Sequence, residues 1–212
     1  MELDSGLIAP LCEEFESQSN VTLVNADFLD FPLPASPYKV FANVPFNRTA
    51  DIVGWLTDAR VPLEEAYLVV RRDMAERFAG SPYVSETLRS LLLKPWWQIE
   101  ITRRLKKSDF EPPPTVDSVL LWLARRTRPL VVESERRRYQ DFIASCLGRG
   151  RTARHLLRRT FTGRQVLRLA KDLRFDLSGP PSSLVFDHWL GLFRYHALET
   201  SLGKGHEGTD EW

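Results

Sequence analysis

Short apolar runs separated by helical stripes dominate the first 125 or so positions of the chain, and from there the period becomes purely helical. Leu7, Leu11, Cys12 and Phe15 follow helical spacing, and Val21 to Val24 then forms a short apolar run of the kind that makes a buried strand. A loop carrying Pro32, Pro34 and Pro37 leads into a second run, Tyr38 to Ala42. Ile52, Val53 and Leu56 share one helical face before a third run, Ala66 to Val70. Runs and helices alternating in this way predict a parallel, doubly wound α/β sheet.

Trp97 to Ile101 and Val116 to Ala124 predict two more strands, with Asp109, Phe110 and the Pro112-Pro113-Pro114 run between them. With no helix intervening, they are expected to form an antiparallel pair at one sheet edge. After about Arg128, Tyr139, Phe142, Ile143, Cys146 and Leu147 fit the i, i+3, i+4, i+7, i+8 stripe of an amphipathic helix. Thr162 and Gln165 have capping-box spacing ahead of Val166, Leu167 and Leu169. Ser182 or Ser183 is placed to cap a last helix with Phe186, Trp189, Leu190 and Phe193 on one face. The expected organisation is an α/β domain over residues 1–128, a basic helical domain over 129–202, and a flexible polar tail over 203–212.

Composition narrows the class. Of 212 residues, 43% are apolar and 27% charged, an ordinary globular balance. No apolar stretch approaches the roughly 20 residues of a membrane span, and Met1-Glu2-Leu3-Asp4 lacks the order of a signal peptide. Cys12 and Cys146 both lie on apolar helical stripes and read as reduced core residues of a cytoplasmic protein.

The net charge of +1 conceals an asymmetry. Glu13, Glu14, Glu16, Asp27, Asp30, Glu64 and Glu65 make the first part acidic, whereas Arg136 to Arg174 is a basic block. Such a block fits a polyanionic partner, and equally a solvated helical face. Within it, Arg149, Arg151, Arg154, Arg158, Arg159 and Arg164 are the candidate contacts to such a partner.

The chemistry concentrates at Asn43-Val44-Pro45-Phe46, directly after the Tyr38 to Ala42 run. Ligands of parallel α/β sheets bind outside the carboxyl ends of the strands. An Asn side-chain oxygen and the backbone carbonyl before or at a proline can accept both hydrogens of an exocyclic amine. That arrangement aims the nitrogen lone pair at a methyl donor, and Phe46 could stack on the base. Asn-X-Pro after a strand is also an ordinary turn.

Asn43-Val44-Pro45-Phe46 resembles the Asn-hydrophobic-Pro-(Phe/Tyr) motif of the rRNA adenine-N6 dimethyltransferases, a family of small-subunit rRNA enzymes and macrolide-resistance 23S rRNA enzymes. Glu2-Leu3-Asp4 is similar to the family's strand-end acid segment, and Asn25-Ala26-Asp27-Phe28-Leu29 to its next Asp motif. Phe110-Glu111-Pro112-Pro113-Pro114-Thr115-Val116-Asp117-Ser118 closely resembles its Phe-X-Pro-X-Pro-X-Val-Asp-Ser signature, and Tyr67 to Phe78 resembles the segment after its fifth strand.

The resemblance implies a Rossmann-like class I methyltransferase fold followed by a small all-helical domain. It also implies S-adenosylmethionine as cofactor and rRNA as partner, 23S rather than 16S, with a monomeric chain. Glu2 would accept from the cofactor's ribose hydroxyls and Asp27 from its adenine amine, with Ala26 adding a backbone contact. Asn43 would lie between cofactor and target base, while Asn43, Pro45 and Phe46 would hold the adenine. No metal is required, and the histidines, His155 and His188 among them, read as surface or RNA-facing groups. The family's first strand and its Glu-X-Gly-X-Gly-X-Gly loop would precede Glu2, where this sequence has only Met1. Three readings stay open: a frame that starts upstream, a fragment, or a truncated RNA-binding or ribosome-assembly protein without transferase activity.

Overall fold

The computed structural model describes residues 1–58, 62–148 and 150–203. The expected tail beyond Gly203, and Arg149, lie outside the described residues. A four-stranded sheet carries the architecture: β1 (Tyr38–Asn43), β2 (Leu63–Arg71), β3 (Trp97–Leu105) and β4 (Ser118–Arg125), in spatial order β1-β2-β4-β3. β1 runs parallel to β2, and β4 runs antiparallel to both β2 and β3. The antiparallel edge pair predicted from the run without a helix is therefore present. β2 is central, with Ala66, Leu68, Val69 and Val70 all buried, which is why its run is continuous rather than alternating.

One helix precedes these strands and three connect them. α1 (Ser5–Phe15) precedes the sheet, capped by Asp4, whose carboxylate accepts the Gly6 amide at 2.7 Å. α2 (Thr49–Leu56) follows β1 and buries Ile52, Val53 and Leu56 against the sheet, as its spacing predicts. α3 (Arg72–Ala79) and α4 (Leu88–Leu93) fill the connection from β2 to β3.

The helical part comprises α5 (Arg136–Cys146), α6 (Ala153–Leu157), α7 (Gly163–Leu173) and α8 (Phe186–Gly203). The α5 stripe is buried at Tyr139, Phe142, Ile143 and Cys146. The capping box at α7 is formed: the Thr162 amide donates to Gln165 Oε1 at 2.8 Å, and the Gln165 amide donates to Thr162 Oγ1. Sheet and helices share one continuous apolar cluster, from Val44 and Leu68 through Trp97 to Tyr139 and Phe193.

Three expectations are corrected. Val21 to Val24 does not form a strand; only Glu2 and Asn25 make an isolated parallel bridge there. No residue from Met1 to Asn43 is buried, so that run has neither an apolar cover nor a ladder to satisfy its backbone groups. For the same reason α1 buries nothing, and Cys12 is exposed instead of part of the core, while Cys146 is buried. Ser182 and Ser183 end a 3-10 turn instead of capping α8. The cap role falls to His188, whose Nδ1 accepts the Val185 amide at 3.2 Å.

A buried ion pair closes the connection around α4 and borders the start of α8. Lys94 Nζ lies 2.6 Å from Glu86 Oε1, with the carboxylate side chain only 2% exposed. Ser90 Oγ donates to the other carboxylate oxygen at 2.6 Å. Gly80, at φ 63° and ψ −141°, closes over this carboxylate, and a Cβ there would collide with Glu86. On the far side Lys94 Nζ sits 5.6 Å from the Phe186 ring at the start of α8, and the Arg126 Nε–H donates to the Lys94 carbonyl at 2.9 Å.

Lys94→Met leaves that carboxylate buried without its cation, so urea unfolding is expected to show a loss of about 3–5 kcal/mol. Adding Glu86→Leu should restore part of it; a double variant no better than the single would show that the pair is not the reason for the loss. Burial lowers the pKa of His188, opposed by Asp187, and of His196, where the Arg138 charge adds to the effect. A folded state that resists protonation loses stability as pH falls below the ordinary histidine value of about 6.5. The melting temperature should therefore drop between pH 7.5 and pH 5, beyond the change seen in His196→Leu; parallel curves would contradict this.

Candidate active site

The Asn43 turn is held by one buried residue between exposed ones. β1 pairs with β2 as far as Asn43 opposite Val69, and the Val44 amide continues the ladder by donating to the Val69 carbonyl at 3.1 Å. Val44 is 2% exposed and belongs to the core, which turns Asn43 and Pro45 outward. Pro45 (φ −55°, ψ 124°) leads into a 3-10 turn, Phe46–Arg48, before α2. Thr49 is fully buried and its hydroxyl donates to the Phe46 carbonyl at 3.2 Å, fixing that turn from beneath.

The donors and acceptors here are unevenly used. The Asn43 carboxamide makes no hydrogen bond among the described residues. The Pro45 carbonyl accepts the Arg48 amide at 2.9 Å, whereas the Val44 carbonyl accepts none among the described residues. The open pair of acceptors is thus the Asn43 side chain and the Val44 carbonyl, with the half-buried Phe46 ring beside them.

The acidic segment reaches this turn through polar contacts, while Phe28 and Leu29 at its end pack against the core. Glu2 and Asn25 form their bridge with the Glu2 amide donating to the Val24 carbonyl at 3.0 Å and the Ala26 amide donating to the Glu2 carbonyl at 3.2 Å. Glu2 Oε1 accepts the Leu3 and Asp4 amides, leaving Oε2 open. Asp27 Oδ1 caps its own turn by accepting the Leu29 amide at 2.9 Å. Asp27 Oδ2 lies 3.6 Å from the Arg48 guanidinium, which also stands 3.5 Å from Asp51. Arg48 is the residue that sequence reasoning missed: its spacing to Asp51 is visible in the chain, but nothing in the sequence links it to Asp27.

The basic block divides into structural and free cations. Arg136 pairs with Glu133 and lies over the Trp96 ring at 3.8 Å; Arg138 pairs with Glu135 and donates to the Ala197 carbonyl. Arg71 and Arg72, following β2, pair with Asp73 and Glu76. Arg151, Arg154, Arg158, Arg159 and Arg164 are all exposed, and none lies within ion-pair distance of a carboxylate among the described residues. Between Leu147 and Phe175 the only acid is Asp172, which faces Arg168. These five cations belong to the α6–α7 region and do not share the Asn43 turn. His155 is exposed, whereas His188 and His196 are half-buried, the latter against Phe142 and Phe161. Among the described residues no cluster of acids, histidines and cysteines could hold a metal.

Arg48→Ala is expected to free the Asp27 turn, seen as faster amide exchange at Leu29 and Asp30, with a global stability change below about 1 kcal/mol. Unchanged exchange would show the ion pair to be idle.

Known proteins place this geometry. The chain is similar to the mycinamicin-resistance protein MyrB of Micromonospora griseorubida, with 29% identity over 92% of this chain and 62% of that protein. An rRNA adenine N-6-methyltransferase of Corynebacterium diphtheriae is 31% identical over 75% of this chain and 62% of its own length. Ribosomal RNA small subunit methyltransferase A of Lactococcus lactis is 30% identical over 76% of this chain and 58% of its length. The chain thus spans roughly three-fifths of each of these curated relatives. In structure it matches the 23S rRNA methyltransferase ErmE with a TM-score of 0.84 and 26% identity, covering 92% of this chain and 80% of that one, so the sheet is Rossmann-like. The family model for ribosomal RNA adenine dimethylases matches residues 1–178, and the chain belongs to that family.

Proposed function

We propose that this protein methylates N6 of an adenine in rRNA, using S-adenosylmethionine, and that 23S rRNA is its substrate. The observation that carries the reading is the pair of open acceptors at the carboxyl end of β1, the Asn43 carboxamide and the Val44 carbonyl. An N6 amino group has two hydrogens and a lone pair delocalised into the ring. Accepting both hydrogens favours a pyramidal nitrogen and frees the lone pair to attack. Phe46 offers a ring face for a base rotated out of its stack, and Pro45 fixes the turn between them.

The residues suit such a cofactor. Glu2 keeps one carboxylate oxygen open for ribose hydroxyls, and Asp27 Oδ2, at 3.6 Å from Arg48, is not committed to a hydrogen bond and can accept from an adenine amine. Ala26 supplies backbone beside it. When bound, S-adenosylmethionine supplies an electrophilic methyl group. The chain's own share is to bind, orient and desolvate the amine.

Residues 129–202 form the RNA-binding unit of this reading, and 1–128 the catalytic one. Arg151, Arg154, Arg158, Arg159 and Arg164 supply its phosphate contacts, with Arg149 joining them by sequence. Small-subunit enzymes among the relatives keep 16S rRNA as the competing substrate. The relation to MyrB and ErmE favours 23S and a resistance role. The protein acts in the cytoplasm as a monomer.

A second reading, a non-catalytic RNA-binding protein, draws on one observation: the cofactor acids sit in a segment without a buried residue. Labelled-methyl transfer to protein-free 23S and 16S rRNA separates the two. Asn43→Ala should lower incorporation by about 10²–10³ while leaving RNA affinity unchanged. Equal loss of affinity and methylation would make Asn43 structural; a wild-type chain that binds RNA and cofactor without transfer would favour the second reading. Preferential incorporation into 16S rRNA would overturn the choice of 23S.

A further inference from the structure

A cavity of 840 Å³ lies in the helical part, away from the Asn43 turn, lined by Gly148, Gly150, Arg151, His155, Pro181 and Ser182 among others. Its walls are tied together by backbone bonds. The Ala153 amide donates to the Gly179 carbonyl at 2.9 Å, and the Arg154 amide to the Leu177 carbonyl at 3.1 Å. The His155 amide donates to Thr152 Oγ1. The first amides of α6 are therefore spent on the scaffold, and any ligand must be held by side chains.

Those side chains form a set. Arg151, ahead of α6, and His155, within it, line the cavity, and Arg159 follows the helix end. The Arg159 guanidinium lies over Gly148, where a Cβ would approach Nη1 to 2.8 Å. Neither Arg151 nor Arg159 has a carboxylate within ion-pair distance among the described residues, so the site presents uncompensated positive charge. Gly148 and Gly150 line one side, and Pro180 and Pro181 add apolar surface to the lining.

We propose that this cavity binds one nucleotide of single-stranded rRNA, its phosphate held by Arg151 and Arg159 and its sugar and base lying against Pro180 and Pro181. The inference rests on the RNA reading above and adds a second, non-reacting subsite to it. A free phosphate satisfies the cations but leaves most of 840 Å³ unfilled. A duplex presents only its outer backbone, whereas an unpaired nucleotide brings both charge and an apolar face.

The test measures binding of a mixed-sequence single-stranded RNA of about 12 nucleotides across a salt series. Three variants are compared: Arg151→Ala with Arg159→Ala; Ser182→Trp, which fills the cavity without changing charge; and Arg168→Ala with Lys171→Ala, which removes two charges from α7. Circular dichroism of each variant confirms folding. The first variant should weaken binding and flatten the log–log salt slope by about 0.7 for the phosphate lost. Ser182→Trp should weaken binding with the slope of the protein's remaining contacts, and the α7 pair should do least. Equal effects of the two charge pairs, or a Ser182→Trp variant that binds as well as wild type, would overturn the subsite while leaving RNA binding intact. A wild-type chain that binds no RNA would overturn the RNA reading and the subsite with it.

Discussion

The parallel pairing of β1 with β2, carried one residue past the strand by the Val44 amide on the Val69 carbonyl, is the contact on which the site depends. It draws Val44 into the core and so fixes the direction in which Asn43 and Pro45 leave it. Because side chains alternate along extended chain, a register slip of one residue would bury Asn43 and expose Val44. Thr49 repeats the device from the helix side, its buried hydroxyl holding the Phe46 carbonyl. The turn is thus held by the apolar residue inside it, while the Asn43 carboxamide and the Val44 carbonyl make no hydrogen bond among the described residues.

The same separation of roles appears among the arginines. Those that stabilise the fold are near acids or rings, as Arg136 is over Trp96 and Arg125 over Trp97. The arginines around α6 form no ion pair among the described residues, and they accept a standing self-repulsion that a polyanion would relieve. Reading the basic block as one feature from sequence merges these two populations. Only the partners distinguish them, and partners are set by tertiary contact.

What was legible in the chain follows from the range of the forces involved. The Tyr38 to Ala42 and Ala66 to Val70 runs, the α2 and α5 stripes and the Thr162 capping box are local patterns, and each forms where its spacing put it. Val21 to Val24 has the same apolar look but lacks cover, and a strand is only as real as its neighbours. Cys12 fails likewise, since a helical stripe predicts a face and not what the face meets. The Asn43 motif was legible because turn and chemistry lie within four residues. Arg48 on Asp27 was not, because the pair spans 21 positions of chain and no periodicity encodes it.

These two halves of the candidate site are held by different kinds of interaction, and that difference bears on how the site works. The Asn43 turn is anchored in the core by Val44 and Thr49. The Glu2 to Asp27 segment is anchored at its end by Phe28 and Leu29 against the core, and ahead of them rests on a single bridge, two Asn25 bonds and one long ion pair, all exposed or half-exposed. Contacts of that kind contribute little each, so the segment's order is sensitive to anything that binds it. A cofactor bridging Glu2 and Asp27 would supply the order that burial does not, stabilising the segment in proportion to its occupancy. On the proposed function, base-holding would fall to the turn anchored in the core, and cofactor-holding to the segment that the cofactor itself would order.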